Sequence, residues 1–436
     1  MPNREPSTHL DVYWVNQYAV PPDQPGGTRH YDFALALTAR GHVVHLLASD
    51  LNLTTRRYSR RRRAWNLLPI NESFKGANFI WLTAGSYRNN DWRRVLSMAV
   101  FGVGAMLRLL FVPTRGRQTV FIGSSPHLFG AFGTWIAAIL RRVPFVLEVR
   151  DLWPESYSEV AGRTAGPEVA VMRWIADRLY RNADIIMVLA EANRDRIIQR
   201  GVAPDRIIYV PNGVDLDAFL EGEPAIDLSS PHHFTFVYAG AHGPANDLAT
   251  VIKACSILQG EGRNDIRVVL LGDGPSKPDL LELAASLQLS NVCFEDPVPK
   301  ASIGPTLRTA DAALMVLAPV ELFTYGVSPN KLFDYLAANL RVVTNVPGLV
   351  SDIVTESDSG VCTLPGSAAA LAEGMKAMAD APATDHGNGT RYVRENFDRR
   401  ALAIRVESAL ITLAARGRSR SRPSSGSKTA PGTAAR

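Results

Sequence analysis

The feature that most restricts the fold is a recurring alternation of short apolar runs with amphipathic stretches, punctuated by glycine. Residues 10–15 are an apolar run, followed by a loop ending Pro25-Gly26-Gly27-Thr28. Residues 29–40 then place Tyr31, Phe33, Ala34, Leu35 and Leu37 in a helical pattern, Gly41 closes it, and 43–48 is the next apolar run. Strand, glycine loop, helix, strand is a βαβ unit, and it predicts a parallel sheet. Further strands are expected at 79–82, 120–122, 145–149, 185–189 and 206–210, with 50–75 an exposed loop. The second half repeats the alternation, with strands at 234–238, 266–271, 292–294, 312–316 and 341–344. At 436 residues the chain is long enough for two cores. The expected fold class is therefore α/β, with two doubly wound domains: 9–215, ending at the turn Pro211-Asn-Gly-Val-Asp215, and 216–398. A final helix at 399–415 is expected to complete the first domain, and 416–436 reads as a disordered basic tail.

Composition serves mainly to exclude. The net charge of +5 is largely local, in Arg56, Arg57 and the arginine run 60–63, and in Arg416, Arg418, Arg420 and Arg422. No nucleic-acid partner is expected. Cys255, Cys293 and Cys362 lie far apart without CxxC spacing, which suits a reducing compartment and neither a disulfide framework nor a zinc site. With no apolar signal-peptide core and no run of 18 uncharged apolar residues, a cytoplasmic protein is expected. Residues 95–112 are apolar apart from Ser97 and Arg108, and Arg93, Arg94, Arg115 and Arg117 flank them. That stretch fits a core helix or an interfacial helix whose arginines meet anionic lipid, peripheral on the inner face of the plasma membrane.

Open α/β sheets bind ligands at the carboxyl ends of their strands, so the loops there carry the candidate site. Gly26 and Gly27 allow close backbone approach, although they are neither a GxGxxG fingerprint nor a P-loop. The strand at 145–149 runs out into Glu148-Val-Arg-Asp-Leu-Trp-Pro-Glu155. Asp151 or Glu155 could act on a substrate hydroxyl by proton transfer or orientation; the alternative is an Arg150–acid pair that closes the loop. His127 follows a strand in the same way, as a catalytic candidate or a structural hydrogen-bonder.

In the second half three loops stand out: Gly240/His242/Gly243, Gly272/Gly274/Lys277, and the run from Ser328 to Asp334. Ser328 reads as an N-cap and Pro329 as the first helical residue, leaving free N–H groups suited to a phosphate. Asn330 and Asp334 share a helix face, with Lys331 beside them, so phosphate and sugar diol could be held together; ordinary surface polars on a capped helix are the alternative. Asp215-Leu-Asp217 matches a DxD pattern but sits beside a turn, reads as structural, and no metal is expected.

Gly26-Gly27-Thr-Arg-His30, Glu148-Val-Arg-Asp-Leu-Trp-Pro-Glu155, Pro211-Asn-Gly-Val-Asp215, Gly272-Asp-Gly-Pro275 and Ser328-Pro-Asn-Lys-Leu-Phe-Asp334 together resemble the GT-B glycosyltransferases of family 4. The resemblance covers about residues 9–415 and is strongest to WbuB-like and WcaI-like enzymes that build bacterial surface polysaccharides. It implies a retaining transfer from a UDP-sugar, with no bound metal or other cofactor, of a sugar such as an N-acetylated or deoxy hexosamine. The expected acceptor is a saccharide or, given the basic and apolar stretches of the N-terminal half, a polyprenyl-diphosphate saccharide. Asp334 stands where the family's second E-x7-E carboxylate meets the donor ribose. Two departures accompany this: the first acid is replaced by Gly326, and the loop after Tyr238 lacks the usual Arg/Lys pair for the diphosphate. Lys331, Lys277 and backbone N–H groups would then neutralise it. A sugar-nucleotide epimerase and a non-catalytic nucleotide-sugar-binding subunit are the alternatives.

Overall fold

A computed structural model of the chain describes residues 9–24, 26–52, 57–60, 68–87, 92–114, 118–125, 128–155, 166–320, 328–382 and 387–419. One sheet contains β1 (Asp11–Val15), β2 (Val43–Ser49), β3 (Ile70–Phe74), β4 (Ala77–Leu82), β5 (Thr119–Ser124), β6 (Phe145–Val149), β7 (Ile185–Val188) and β8 (Ile207–Tyr209), in the order β3-β4-β2-β1-β5-β6-β7-β8. The other contains β9 (Phe234–Ala239), β10 (Ile266–Leu271), β11 (Val292–Glu295), β12 (Ala312–Met315), β13 (Arg341–Thr344) and β14 (Gly360–Cys362), in the order β11-β10-β9-β12-β13-β14. The pairings are parallel except for the β3–β4 hairpin. The helices are α1 (Arg29–Ala39), α2 (Trp92–Leu110), α3 (Leu128–Arg141), α4 (Pro167–Asn182), α5 (Glu191–Gln199), α6 (Leu216–Phe219) and α7 (Leu248–Gly260). They continue as α8 (Lys277–Ser286), α9 (Lys300–Leu307), α10 (Asn330–Ala337), α11 (Leu349–Glu356), α12 (Ala368–Asp380), α13 (Asn388–Asn396) and α14 (Arg399–Ser419).

Strand order reverses between β1 and β5 in one sheet and between β9 and β12 in the other, and such switch points open a crevice at the strands' carboxyl ends. Successive strand residues alternate between faces. Tyr13, Val15, Phe121 and Leu147 pack under α2, α3 and α4, while Val12, Trp14, Ile122 and Val146 pack under α1 and α14. Leu402, Val406 and Leu410 of α14 join that second layer, so the last helix returns to the first sheet.

Three elements differ from the sequence reading. Residues 70–74 form β3 inside the stretch expected to be loop; the Lys75-Gly76 turn, both residues at positive φ, folds it onto β4. Strand β14 was not anticipated, being three residues at a sheet edge. Helix α14 runs through Ser419, past the expected start of the tail at 416, while 420–436 lie outside the described residues.

Helix α2 packs one side into the core and leaves the other exposed. Met98, Phe101, Ala105 and Leu109 are core, whereas Val95, Leu96, Val103, Leu107 and the following Phe111 are exposed. Its inner side meets α3 closely: a Cβ on Gly133 would lie 2.4 Å from the Gly102 carbonyl oxygen.

The domains are joined by two strands of chain that pair with each other. Val214 N–H donates to Phe397 O at 3.1 Å, and Arg399 N–H to Val214 O at 3.1 Å. Arg400 binds both Asp215 and Asp217, and Asp215 also caps α6, so the DxD-like pair serves the junction.

Candidate active site

Glu148 occupies the penultimate position of β6 and is fully buried. A carboxylate there needs partners, because burying an unpaired charge is prohibitive. It accepts from Arg29 Nε at 2.9 Å, His30 Nε2 at 2.8 Å, Trp14 Nε1 at 3.3 Å, and the Ser124 hydroxyl. Burial alone would push the Glu148 carboxyl up, but His30 and Arg29 outweigh it and hold it well below the usual range. Burial lowers the pKa of His30, against the pull of Glu148.

Arg29 extends this cluster to the interdomain linker. It donates to Val210 O at 2.8 Å, to Pro211 O, and to Asn212 Oδ1 at 3.5 Å. Asn212 N–H donates to Ser328 Oγ at 3.2 Å, and its amide to the Ser328 carbonyl. Arg399, buried and pushed down to about 9 by that burial, pairs with Asp32 and donates to Thr28 Oγ1 at 3.1 Å and Asn330 Oδ1 at 3.5 Å. These contacts set the glycine loop opposite the start of α10. A Cβ on Gly27 would lie 3.4 Å from Asn330 Nδ2, while exposed Gly26 turns back over Val20.

Across the cleft, Ser328 is not the N-cap. Helix α10 starts at Asn330 after Pro329 with no side-chain cap, because the Ser328 hydroxyl is engaged by Asn212 instead. Half-buried Lys331 donates to Tyr238 Oη at 2.9 Å and Asn246 Oδ1 at 2.6 Å, with Nζ 4.5 Å from the centre of the Tyr238 ring. A Cβ on Gly240 would lie 3.7 Å from Lys331 Cε. Helix α10 thus brings a cation to the very loop, 240–247, that has none of its own. Burial pushes this ammonium down to about 7. Asp334, one turn on, is buried; Oδ2 pairs with Lys300, and Oδ1 has no hydrogen-bond partner among the described residues.

His242 lies within the loop after β9, and Lys277 opens α8 after the loop that follows β10. The His242 ring is fully buried near the rings of Tyr238 and Phe294, and burial, then Lys277, push it down to about 4. Lys277 Nζ is held by Gly272 O at 3.1 Å and Asp296 Oδ1 at 3.0 Å. Gly272 and Gly274 allow the two loops to stack: a Cβ would lie 1.9 Å from Gly240 O in the first case and 2.4 Å from His242 O in the second.

Among the acids after β6, Asp151 has an exposed side chain, yet the surrounding protein raises its carboxyl pKa against the pull of Arg150. Ser125 steadies its loop by accepting Arg150 N–H at 2.9 Å. Glu155 is tied to Arg200, which also reaches Asp177 at 3.4 Å. A loop-closing pair is therefore present, with Arg200 rather than Arg150. His127 and Gly326 lie outside the described residues.

The family model for the glycosyl transferase 4-like domain matches residues 26–213, and that for glycosyl transferases group 1 matches 233–381. The chain belongs to the GT-B glycosyltransferases of family 4. It is similar to WcaI of Escherichia coli K12, named for colanic acid biosynthesis, at 24% identity over 355 residues, covering 78% of this chain and 85% of WcaI. Among solved structures, sucrose-phosphate synthase from Thermosynechococcus elongatus superimposes with a TM-score of 0.70 at 16% identity, covering 93% of this chain and 100% of that one. Anabaena HepE in complex with UDP-glucose superimposes with a TM-score of 0.63 at 15% identity, covering 93% and 100%.

In this glycosyltransferase the sequence reading overlooked Glu148, Arg29, Lys300 and Arg399. Glu148 carried a signal, since an acid inside the apolar strand Phe-Val-Leu-Glu-Val demands a buried partner. Lys300 and Arg399 carried none, because they meet Asp334 and Asp32 only through the fold.

Proposed function

We propose that this glycosyltransferase moves a sugar from a UDP-sugar, with retention of configuration and without a metal, to a saccharide or polyprenyl-diphosphate saccharide during assembly of a bacterial surface polysaccharide. The observation that carries this is Lys331, seated on Tyr238 and Asn246 beside Gly240 and across the cleft from the Gly26–Gly27 loop. An ammonium, unpaired backbone N–H groups at the start of α10 and a flexible glycine backbone together suit a diphosphate. As the glycosidic bond to the donor breaks, they offset the charge on the departing diphosphate. Asp334 takes the ribose, and Asp151, in the loop after β6, orients the acceptor hydroxyl. HepE, solved with UDP-glucose, supports the donor class, and WcaI supports the pathway class.

No helix among the described residues is long and apolar enough to cross a membrane. The exposed row Val95, Leu96, Val103, Leu107 and Phe111, with the exposed Arg93 at its start, instead fits the inner face of an anionic bilayer, where a lipid-linked acceptor would reside. Two measurements test the reading. Incubation with UDP-sugars and a polyprenyl-diphosphate saccharide should extend the lipid, Lys331→Met should extend it far more slowly, and donor turnover without acceptor would instead indicate an epimerase. Flotation with anionic liposomes at low salt should carry the protein upward; a protein that stays unbound removes the membrane part.

A further inference from the structure

Asp334 does not face the cleft as a bare carboxylate. Lys300, the first residue of α9, pairs with Oδ2, and the two side chains are only 15% and 11% exposed. Lys300 Nζ also lies 5.1 Å from the centre of the Phe219 ring, which helps hold the ammonium that occupies Oδ2. Oδ1 is left buried and without a hydrogen-bond partner among the described residues, although leaving such an acceptor unmade is costly.

A free carboxylate can accept one hydroxyl of a vicinal diol on each oxygen. Here one oxygen is already committed. We infer that Lys300 is a positioning residue that locks the Asp334 carboxylate so that Oδ1 alone receives the donor, making this site read one hydroxyl of the nucleoside diol rather than both. The pairing also cancels the Asp334 charge next to the proposed diphosphate seat, which a bare carboxylate would repel. The inference rests on the placement of the nucleotide against α10 given above.

The test is titration calorimetry of UDP, 2′-deoxy-UDP and 3′-deoxy-UDP against the full chain and its Asp334→Asn, Lys300→Met and Lys300→Arg variants. One deoxy nucleotide should bind the wild type like UDP and the other about tenfold or more weakly, the loss expected for one hydrogen bond to a charged group. In Lys300→Met both carboxylate oxygens are released, so the two analogues should converge to within about threefold, with UDP itself weakened. Lys300→Arg should keep the wild-type ratio. Equal loss for both analogues in the wild type, or an unchanged ratio in Lys300→Met, would overturn the role of Lys300 while a UDP loss in Asp334→Asn kept the nucleotide in place. UDP binding that is absent, or indifferent to Asp334→Asn, would overturn both. The wild-type comparison needs no variant to fold.

Discussion

Arg29 and Glu148 meet at 2.9 Å with side chains 1% and 0% exposed, where the glycine loop, the edge of the first sheet and the interdomain linker converge. The guanidinium serves two masters: one edge satisfies Glu148 and the other the carbonyls of Val210 and Pro211. The pair therefore ties the start of α1 and the end of β6 to the interdomain linker.

Breaking it should be severe. Glu148→Gln leaves Arg29 buried without its counter-charge and should cost about 3–5 kcal/mol in urea unfolding. The carboxyl is held below its unfolded value, so its contribution is complete above about pH 4.3 and is lost as the pH falls further. The wild type should lose stability in that acid range, and Glu148→Gln should lack that part of the slope.

Lys331 should make donor binding pH-dependent. Its ammonium is held down to about 7 by burial, and a diphosphate would favour the charged form. UDP binding should then take up a proton near neutrality, and affinity should fall as the pH rises above about 7. Calorimetry in buffers of different ionisation enthalpy reads the uptake directly. Lys331→Arg should abolish the pH dependence, and Lys331→Met should weaken UDP about tenfold or more at pH values where the lysine is charged.

His242 should report on folding rather than on the donor. Its ring is pushed down to about 4, so it stabilises the fold fully above the unfolded value of about 6.5, and this contribution is lost as the pH falls toward 4. Thermal melts should show that loss in the wild type, and His242→Phe should flatten it while UDP affinity at pH 8 changes little.

The two acids after β6 should separate cleanly. Asp151→Asn weakens the group that orients the acceptor hydroxyl and should lower kcat by about 10²-fold. Glu155→Gln breaks a partly exposed pair with Arg200, so it should lower stability by about 1 kcal/mol or less and leave kcat nearly intact. The opposite pattern in a transfer assay would exchange their roles.

Much of the fold was legible because its signals are local. The βαβ alternation needs only a glycine loop between an apolar run and an amphipathic one, as at 10–48. Strand β3 escaped because Ile-Asn-Glu-Ser-Phe is half polar, which suits an edge that pairs on one side only. Ser328 misled for a related reason: its composition suits a cap, but a tertiary partner, Asn212, competes for the hydroxyl.

By itself, the sequence determined two parallel-sheet domains, the loops that end at their carboxyl edges and the family motifs those loops carry, since each depends on neighbours within a few residues. Tertiary structure alone decided which side chains meet. It brought Lys331 to the loop after β9, set Lys300 on Asp334, buried the His242 ring, tied Lys277 to Gly272, and joined Arg29 to a linker some 180 residues away. Those outcomes follow from strand order and burial: a charge or ring placed at a switch point must find its partner across space, and no local pattern names that partner.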